Sequence, residues 1–419
     1  MNKKWKLPKL RLERPVTPDW RQLAVCAMCL AFMALLTDLV VTQNRALEVP
    51  FENEGVYIRF MWFLAGFVLL ANVYSLVADA NLTTMIVAVG ILFSIGTAYQ
   101  FLFPGFSKYS LVGMGSLAVS VVVYLLCRRY SDISDQWFWG IIAAIGVLLV
   151  VNILFGVEDR GAILTVPLGT FSIQPGEYVK VLTMVLGACS FHNRKRAFVY
   201  CGTTLISSMV MVGVINDLGN TMIIFVMFVL MTYLLFDSRK LSMGIIAAAV
   251  MALVVVIAIK PHVLERFTNT FQAMSLRGDA PEQFRSIRSV LYGGIRGRGL
   301  ADCASTLDIN AIEHDAAMGG LTAVYGIGIT TIAMMGYAVL AAQPAFNRSV
   351  HPSGYLMLCQ FSVYVAMQSA LNLGGTLDIF PYTGVVAPLI SEGANQMLCF
   401  AVLLGLVSAA IHPKVCWKE

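Results

Sequence analysis

The chain has 419 residues, 58% hydrophobic and only 13% charged, with a formal net charge of +5 and a mean hydropathy of +0.76. A soluble globular chain carries roughly a quarter charged residues, so this composition excludes a protein that faces water on all sides and predicts an integral membrane protein. The basic excess lies in short loops between apolar blocks and gives no reason to propose nucleic-acid binding.

The chain opens MNKKWKLPKLRLERP, too basic and too far from an apolar core for a cleavable signal, so residues 1–21 are expected to form a cytoplasmic N-terminus. Apolar blocks able to cross a bilayer, for which roughly 20 residues suffice, follow at 23–42, 56–78, 84–103, 111–127, 137–155, 177–191, 198–215, 221–236, 241–259, 318–341, 355–371 and 388–411. They lack the period-2 alternation of an outer-membrane barrel. The expected fold is all-α: a polytopic helix bundle of about twelve transmembrane helices, with 22–130 as N-terminal helices and 131–419 as the core.

Basic clusters fall in alternate loops: Arg128 and Arg129, Arg194 to Arg196, Arg239 and Lys240, Arg348, then Lys414 and Lys418. The positive-inside rule puts these loops and both termini in the cytoplasm. Glu52, Glu54, Glu158, Asp159, Asp217 and Asp378 fall on the opposite side. The nine cysteines include one CxxC pair, Cys26 and Cys29, inside the first span. They indicate neither a disulfide framework nor a metal site.

The long segment 260–317 lies on the outer side. Phe284, Ile287, Val290 and Leu291 recur there at helical spacing, which predicts an amphipathic helix on the membrane or the bundle. The run Gly293-Gly294-Ile295-Arg296-Gly297-Arg298-Gly299 would let backbone amides and two guanidiniums converge on an anion. As a plain flexible turn it would leave the arginines solvated. Three more outer segments are polar. In 161–180, Pro175 suits a helix start, Glu177 its first turn, and Lys180 can pair with Glu177. Asp217 opens a helix in 216–221, and 372–393 is rich in Gly, Pro and polar groups. Each has a plain explanation as a cap, a turn or an ion pair, yet all share one side with the long loop. That clustering predicts a site in the outer half of the bundle.

The order of these segments resembles the SEDS (shape, elongation, division and sporulation) family, the RodA/FtsW/SpoVE-like peptidoglycan glycosyltransferases, over 156–401. The family's NGA-RWI…LG-F-F-QPSE…K is similar to Gly161-Ala162…Leu168-Gly169…Phe171…Gln174-Pro175-Gly176-Glu177…Lys180. Its PDLGT resembles Asp217-Leu218-Gly219-Asn220-Thr221, and its QS…GGL-GKGL resembles Arg288-Ser289…Gly293-Gly294-Ile295…Gly297-Arg298-Gly299-Leu300. HTDF looks like Glu313-His314-Asp315-Ala316, with only the Asp in place. NIG…LP-TG…LPF-SYGGSS corresponds to Asn372-Leu373-Gly374…Phe380-Pro381…Thr383-Gly384…Pro388-Leu389-Ile390-Ser391-Glu392-Gly393. The family's Trp in the first loop and the Asn of NGA are missing, and two extra N-terminal spans precede the core. The chain therefore resembles a divergent member.

The resemblance implies a glycosyltransferase that polymerises lipid II on the outer face of the bacterial cytoplasmic membrane. A sugar hydroxyl attacks an undecaprenyl-pyrophosphate-linked anomeric carbon. Asp315 matches the family's proposed catalytic acid and would serve as general base, with Glu313, His314, Glu177, Lys180 and Asp217 in support. Arg285, Arg288, Arg296 and Arg298, together with Lys180, are expected at the pyrophosphate. A divalent cation, magnesium or manganese, would meet the same need, with Asp315 as its ligand. A class B penicillin-binding protein transpeptidase is the implied partner. Two other classes are a flippase or transporter of lipid-linked precursors and a non-catalytic scaffold for that transpeptidase. The flippase would want ionisable residues lining a passage, but the main mid-span charges, Asp38 and Arg59, lie outside the motifs.

Overall fold

The computed structural model describes residues 83–103, 106–127, 135–159, 161–169, 171–191, 193–259, 281–299, 314–347, 352–381 and 384–411, with single positions at 31 and 264. The expected spans 23–42 and 56–78, both termini, most of 260–280 and Glu313 lie outside the described residues.

The helices are α1 (Thr83–Gln100), α2 (Phe106–Cys127), α3 (Asp135–Phe155), α4 (Pro175–Ala188), α5 (Arg194–Val210), α6 (Leu218–Phe236) and α7 (Arg239–Ile259). They continue with α8 (Pro281–Gly293), α9 (Ala317–Tyr325), α10 (Ile327–Ala341), the single turn α11 (Gln343–Phe346), α12 (Pro352–Thr376) and α13 (Ala394–Ile411). Among the described residues, α2, α3, α5, α6, α7, α12 and α13 are long and apolar enough to cross a membrane, and α1 and α10 are shorter apolar helices. Their apolar residues surround the helix instead of forming one stripe. In α3, Phe138, Ile145 and Leu149 face the bundle while Trp137, Val147, Val150 and Leu154 are exposed, as expected where lipid covers the outer side. This is the helical membrane fold expected from the sequence.

The core is built on α4 and α12. α12 packs on α4, α6, α9, α10 and α13. α13 lies along α2, and α10 along α1. Small residues allow the close approaches: a side chain at Gly405 of α13 would strike Ser120 and Val123 of α2, and one at Gly336 of α10 would press on Leu92 of α1. α7 packs on α6 and is otherwise largely exposed.

Four local features depart from the expected elements. Residues 157–173 form a three-stranded antiparallel meander of β1 (Val157–Asp159), β2 (Ala162–Leu168) and β3 (Phe171–Ile173), a small addition to the all-α expectation. The expected span 318–341 breaks into α9 and α10 at Gly326, whose φ is 85°. The Gly293–Gly299 loop lies against that break, so a side chain at Gly326 would collide with the carbonyl of Ile295. The expected span 388–411 is helical only from Ala394. Before it, 384–393 runs into the bundle as non-helical chain, buried over 387–391, which is tolerated at membrane depth only inside protein. Finally, the predicted amphipathic helix exists as α8, but its buried face is Ser286, Ser289 and Gly293, packed on Gly319, Thr322 and Ala323 of α9. Ile287 and Val290 are half-buried, and Leu291 is 77% exposed. The bundle selects for closeness here, so the small residues take the inner face.

The buried 384–393 segment is held from three sides. Tyr109 of α2 donates to the Leu389 carbonyl at 2.6 Å, Tyr337 of α10 to the Pro388 carbonyl at 2.6 Å, and Gln100 of α1 to the Ile390 carbonyl at 2.9 Å. Leu389 itself sits at φ 66°, a left-handed conformation that costs a residue with a Cβ about 1–2 kcal/mol.

Candidate active site

Helix direction alternates along the chain, so one end of the bundle collects the meander, the starts of α4, α6 and α9, and the end of α12. Hydrogen bonds between distant segments tie this end together. The Asn216 side chain donates to the Gly161 carbonyl at 2.9 Å, Asn395 donates to the Ser172 carbonyl at 2.9 Å, and Tyr178 donates to Asn395 Oδ1 at 3.0 Å. The polar segments singled out in the sequence are thus brought to one place.

Two clusters of side chains occupy it. The first lies inside the bundle. α4 starts at Pro175, with Glu177 in its first turn. α5 ends in a π-helical turn, Met211–Ile215, which delivers Asn216 at φ 64° and Asp217 as the N-cap of α6. Lys180 Nζ donates to Glu177 Oε1 at 2.8 Å and to Asn220 Oδ1 at 2.7 Å. Asn220 Nδ2 donates to Asp217 Oδ2 at 2.8 Å, and Asp217 Oδ1 accepts from the Asn220 amide at 3.1 Å. Burial raises the pKa of Asp217, opposed by the Asn220 hydrogen bonds and the Lys180 charge. The expected Glu177–Lys180 pair is present, but Lys180 is wholly buried, 5.4 Å from the Tyr364 ring centroid. Its ammonium is taken up by Glu177 and Asn220 in this structure. α4 is enclosed by α3, α6, α12 and α13, so its charged groups neutralise one another.

The second cluster is at the start of α9. The N-cap residue of α9 is Ala316, so Asp315 stands one position before the cap. The Asp315 carbonyl accepts from Asn372 Nδ2 at 2.9 Å, and the same amide donates to the Val385 carbonyl at 2.8 Å. His314 Nδ1 lies 2.8 Å from the Glu392 carbonyl. The Glu392 carboxylate pairs with Lys108 at 3.4 Å. Gly384, at φ 67°, flanks the carboxylate: a Cβ there would lie 3.6 Å from Asp315 Oδ2.

The arginines occupy the end of α8 and the loop behind it. Arg288, Arg296 and Arg298 are all exposed. Arg298 Nε donates to the Tyr292 carbonyl at 3.2 Å, and its guanidinium lies 4.7 Å from that ring's centroid. Arg285 is in α8, its side chain outside the described residues. Three of the loop amides are taken up within the protein. Those of Gly294, Gly297 and Arg298 are bonded to the carbonyls of Val290, Gly293 and Ala323, because the loop is pressed against the α9–α10 break.

Sequence reasoning did not single out Asn372, Gly384, Glu392 or Lys108 as site residues. The first three lie in the last motif, whose resemblance was a usable signal. Lys108 carried none, because nothing in its own segment says that Glu392 is its neighbour.

A polytopic helical bundle with polar residues gathered at one end defines a membrane-embedded class of protein. Comparison with known proteins narrows that class. The model of the FtsW/RodA/SpoVE family, described as cell cycle protein, matches residues 73–414, well beyond the 156–401 over which the motifs are recognisable. The chain belongs to this family. It is 24% identical to the probable peptidoglycan glycosyltransferase FtsW of Bacillus subtilis over 72% of this chain and 79% of that protein. It is 23% identical to the probable peptidoglycan glycosyltransferase FtsW of Aliivibrio salmonicida over 90% and 92%. The peptidoglycan glycosyltransferase RodA of Mycobacterium tuberculosis is 25% identical over 61% and 59%. In fold, the chain is similar to one from a peptidoglycan synthase complex that coordinates polymerization and crosslinking (TM-score 0.60, 20% identity, 78% and 96% covered). It is also similar to the rod shape determining protein RodA of Thermus thermophilus (TM-score 0.51, 17% identity, 78% and 95% covered).

Proposed function

We propose that this chain is a peptidoglycan glycosyltransferase that polymerises lipid II into glycan strands at the outer face of the cytoplasmic membrane. The observation that carries this reading is the setting of Asp315 in a chain of this family. Its carboxylate stands at the start of α9 beside a glycine, while its backbone is fixed by Asn372. A carboxylate so held can act as general base. It takes the proton of the acceptor sugar hydroxyl as that oxygen bonds to the anomeric carbon of the donor. The bond from that carbon to the undecaprenyl pyrophosphate breaks, and the leaving group keeps its electron pair. Arg288, Arg296 and Arg298 are the exposed cations available to the developing pyrophosphate charge. Glu177, Lys180 and Asp217 support the site from within by fixing the starts of α4 and α6 against each other. Among the described residues no three Asp, Glu, His or Cys side chains come together; a magnesium or manganese ion would be held through the Asp315 carboxylate together with water and the pyrophosphate oxygens, as such ions commonly are.

Orientation follows from the alternating basic loops, which place both termini in the cytoplasm and 260–317 outside. A cysteine introduced as Ser305→Cys should label in intact cells, and labelling only after permeabilisation would reverse this assignment. The fold likeness to a chain of a peptidoglycan synthase complex supports a class B penicillin-binding protein as the crosslinking partner.

The test is polymerisation of labelled lipid II by the purified full-length protein, alone and with that transpeptidase. Asp315→Asn, nearly isosteric, should keep its melting temperature and lose about a hundredfold or more in rate. Normal polymerisation by a folded Asp315→Asn protein would remove Asp315 as the base. An inactive wild type, alone and with partner, would overturn the polymerase reading.

A further inference from the structure

We infer that His314 is a positioning residue for Asp315: its imidazole is a strut that fixes the carboxylate by bracing the 314–315 turn against the buried 384–393 segment. The inference rests on the proposed role of Asp315 as the base.

The Glu392 carbonyl, 2.8 Å from Nδ1, can only accept a hydrogen bond. The imidazole must therefore carry its proton on Nδ1 and donate, whether the ring is neutral or charged. The next residue is held from the other side, by Asn372 Nδ2, which donates to both the Asp315 and Val385 carbonyls. Two consecutive residues are thus tied to the two ends of the buried segment, at Val385 and at Glu392. Between those ends the segment is pinned by three donors, since Tyr337, Tyr109 and Gln100 hold the carbonyls of Pro388, Leu389 and Ile390. Lys108 holds the Glu392 side chain from α2. The imidazole closes the frame on the Glu392 side. Without it, the turn keeps the Asn372 anchor and loses its tie to Glu392, so the placement of the carboxylate beside Gly384 loosens. Its main-chain anchor and its packing need not change, so the loss falls on geometry and not on folding.

The Nδ1 donor has a close mimic. The Nδ2 atom of Asn occupies the same place along the side chain, whereas the Nε2 atom of Gln lies one bond further out. The experiment measures kcat, KM for lipid II and melting temperature for full-length wild type, H314N, H314Q, H314L and D315N. A catalytic group misplaced by about one ångström can cost about a hundredfold in rate. H314L should accordingly lower kcat by roughly tenfold or more, with KM within about twofold and an unchanged melting temperature. H314N should return kcat to within about threefold of wild type, and H314Q should not. A folded H314L protein with wild-type kcat overturns the inference, as does an Asn variant no better than the Leu variant. Should H314L fail to fold, the Asn and Gln variants decide, and equal kcat in the two overturns it. D315N separates the two claims. If D315N is inactive while every His314 variant is normal, only the strut is wrong. If D315N is fully active, the base reading and the strut fall together.

Discussion

The clamp on the buried 384–393 segment makes a quantitative prediction. Tyr109→Phe and Tyr337→Phe each remove one hydroxyl and keep the ring, so packing such as the stacking of Tyr109 on Phe93 survives. Each leaves a carbonyl in the protein interior without its donor, at a cost of roughly 1–3 kcal/mol. The two sites flank Leu389, whose left-handed backbone stores about 1–2 kcal/mol and persists because its surroundings over-determine it. A single variant leaves two of the three donors, which should still hold the segment. Each single variant should therefore lower stability by its own hydrogen bond, roughly 1–3 kcal/mol, with little effect on polymerisation. The double variant loses roughly 2–6 kcal/mol of anchoring, more than the strained residue stores. The segment should then relax, carrying Gly384 and Glu392 away from Asp315 and His314. Activity should fall further than the sum of the single effects, a coupling that a double-mutant cycle on rate would report. The measurements are melting temperature in lipid nanodiscs and the initial rate of glycan formation. A double variant that melts and polymerises like wild type would refute the clamp.

Lys180→Met should be strongly destabilising, by about 3–5 kcal/mol, because it leaves Glu177 buried without its cation. Adding Glu177→Gln should recover part of the loss, and thermal melting of both proteins checks this. The exposed arginines should behave differently. Arg296→Ala with Arg298→Ala should leave the melting temperature unchanged and cut turnover at subsaturating lipid II at least about tenfold, each charge-assisted contact being worth roughly 1.5–3 kcal/mol. Unchanged turnover would mean that these guanidiniums are only solvated or, for Arg298, serve only Tyr292.

Helical identity was legible wherever a long apolar block could be read, because lipid imposes that composition directly. All ten expected spans that fall on described residues contain helix. The break at Gly326 and the non-helical stretch before Ala394 were not legible. Both depend on another segment filling the space beside them, the Gly293–Gly299 loop in one case and donors from α1, α2 and α10 in the other. The inner face of α8 was not legible for a related reason. An apolar pattern marks the inner face where water is outside, whereas at a tight helix contact small residues define it, as Ser286, Ser289 and Gly293 do. Within the site, Glu177 and Lys180 were predictable from spacing alone, since i and i+3 share a helix face. The joining of Asp315 to Asn372, or of His314 to Glu392, was beyond any reading of local spacing.

The interlock of the Gly293–Gly299 loop with the α9–α10 break has a mechanical consequence. Arg298 donates its amide to Ala323 and Ile327 donates to Gly294. Gly293 and Gly297 lie against the backbone of Thr322, Val324 and Tyr325 with no room for a side chain. The arginine-bearing loop and α9 are therefore one rigid piece, joined backbone to backbone, with Asp315 at its edge. A polymerase must advance its product by one repeat after every addition. On the proposed polymerase reading, the backbones that carry the carboxylate and the arginines keep one spacing through the cycle, and the advance is left to the product.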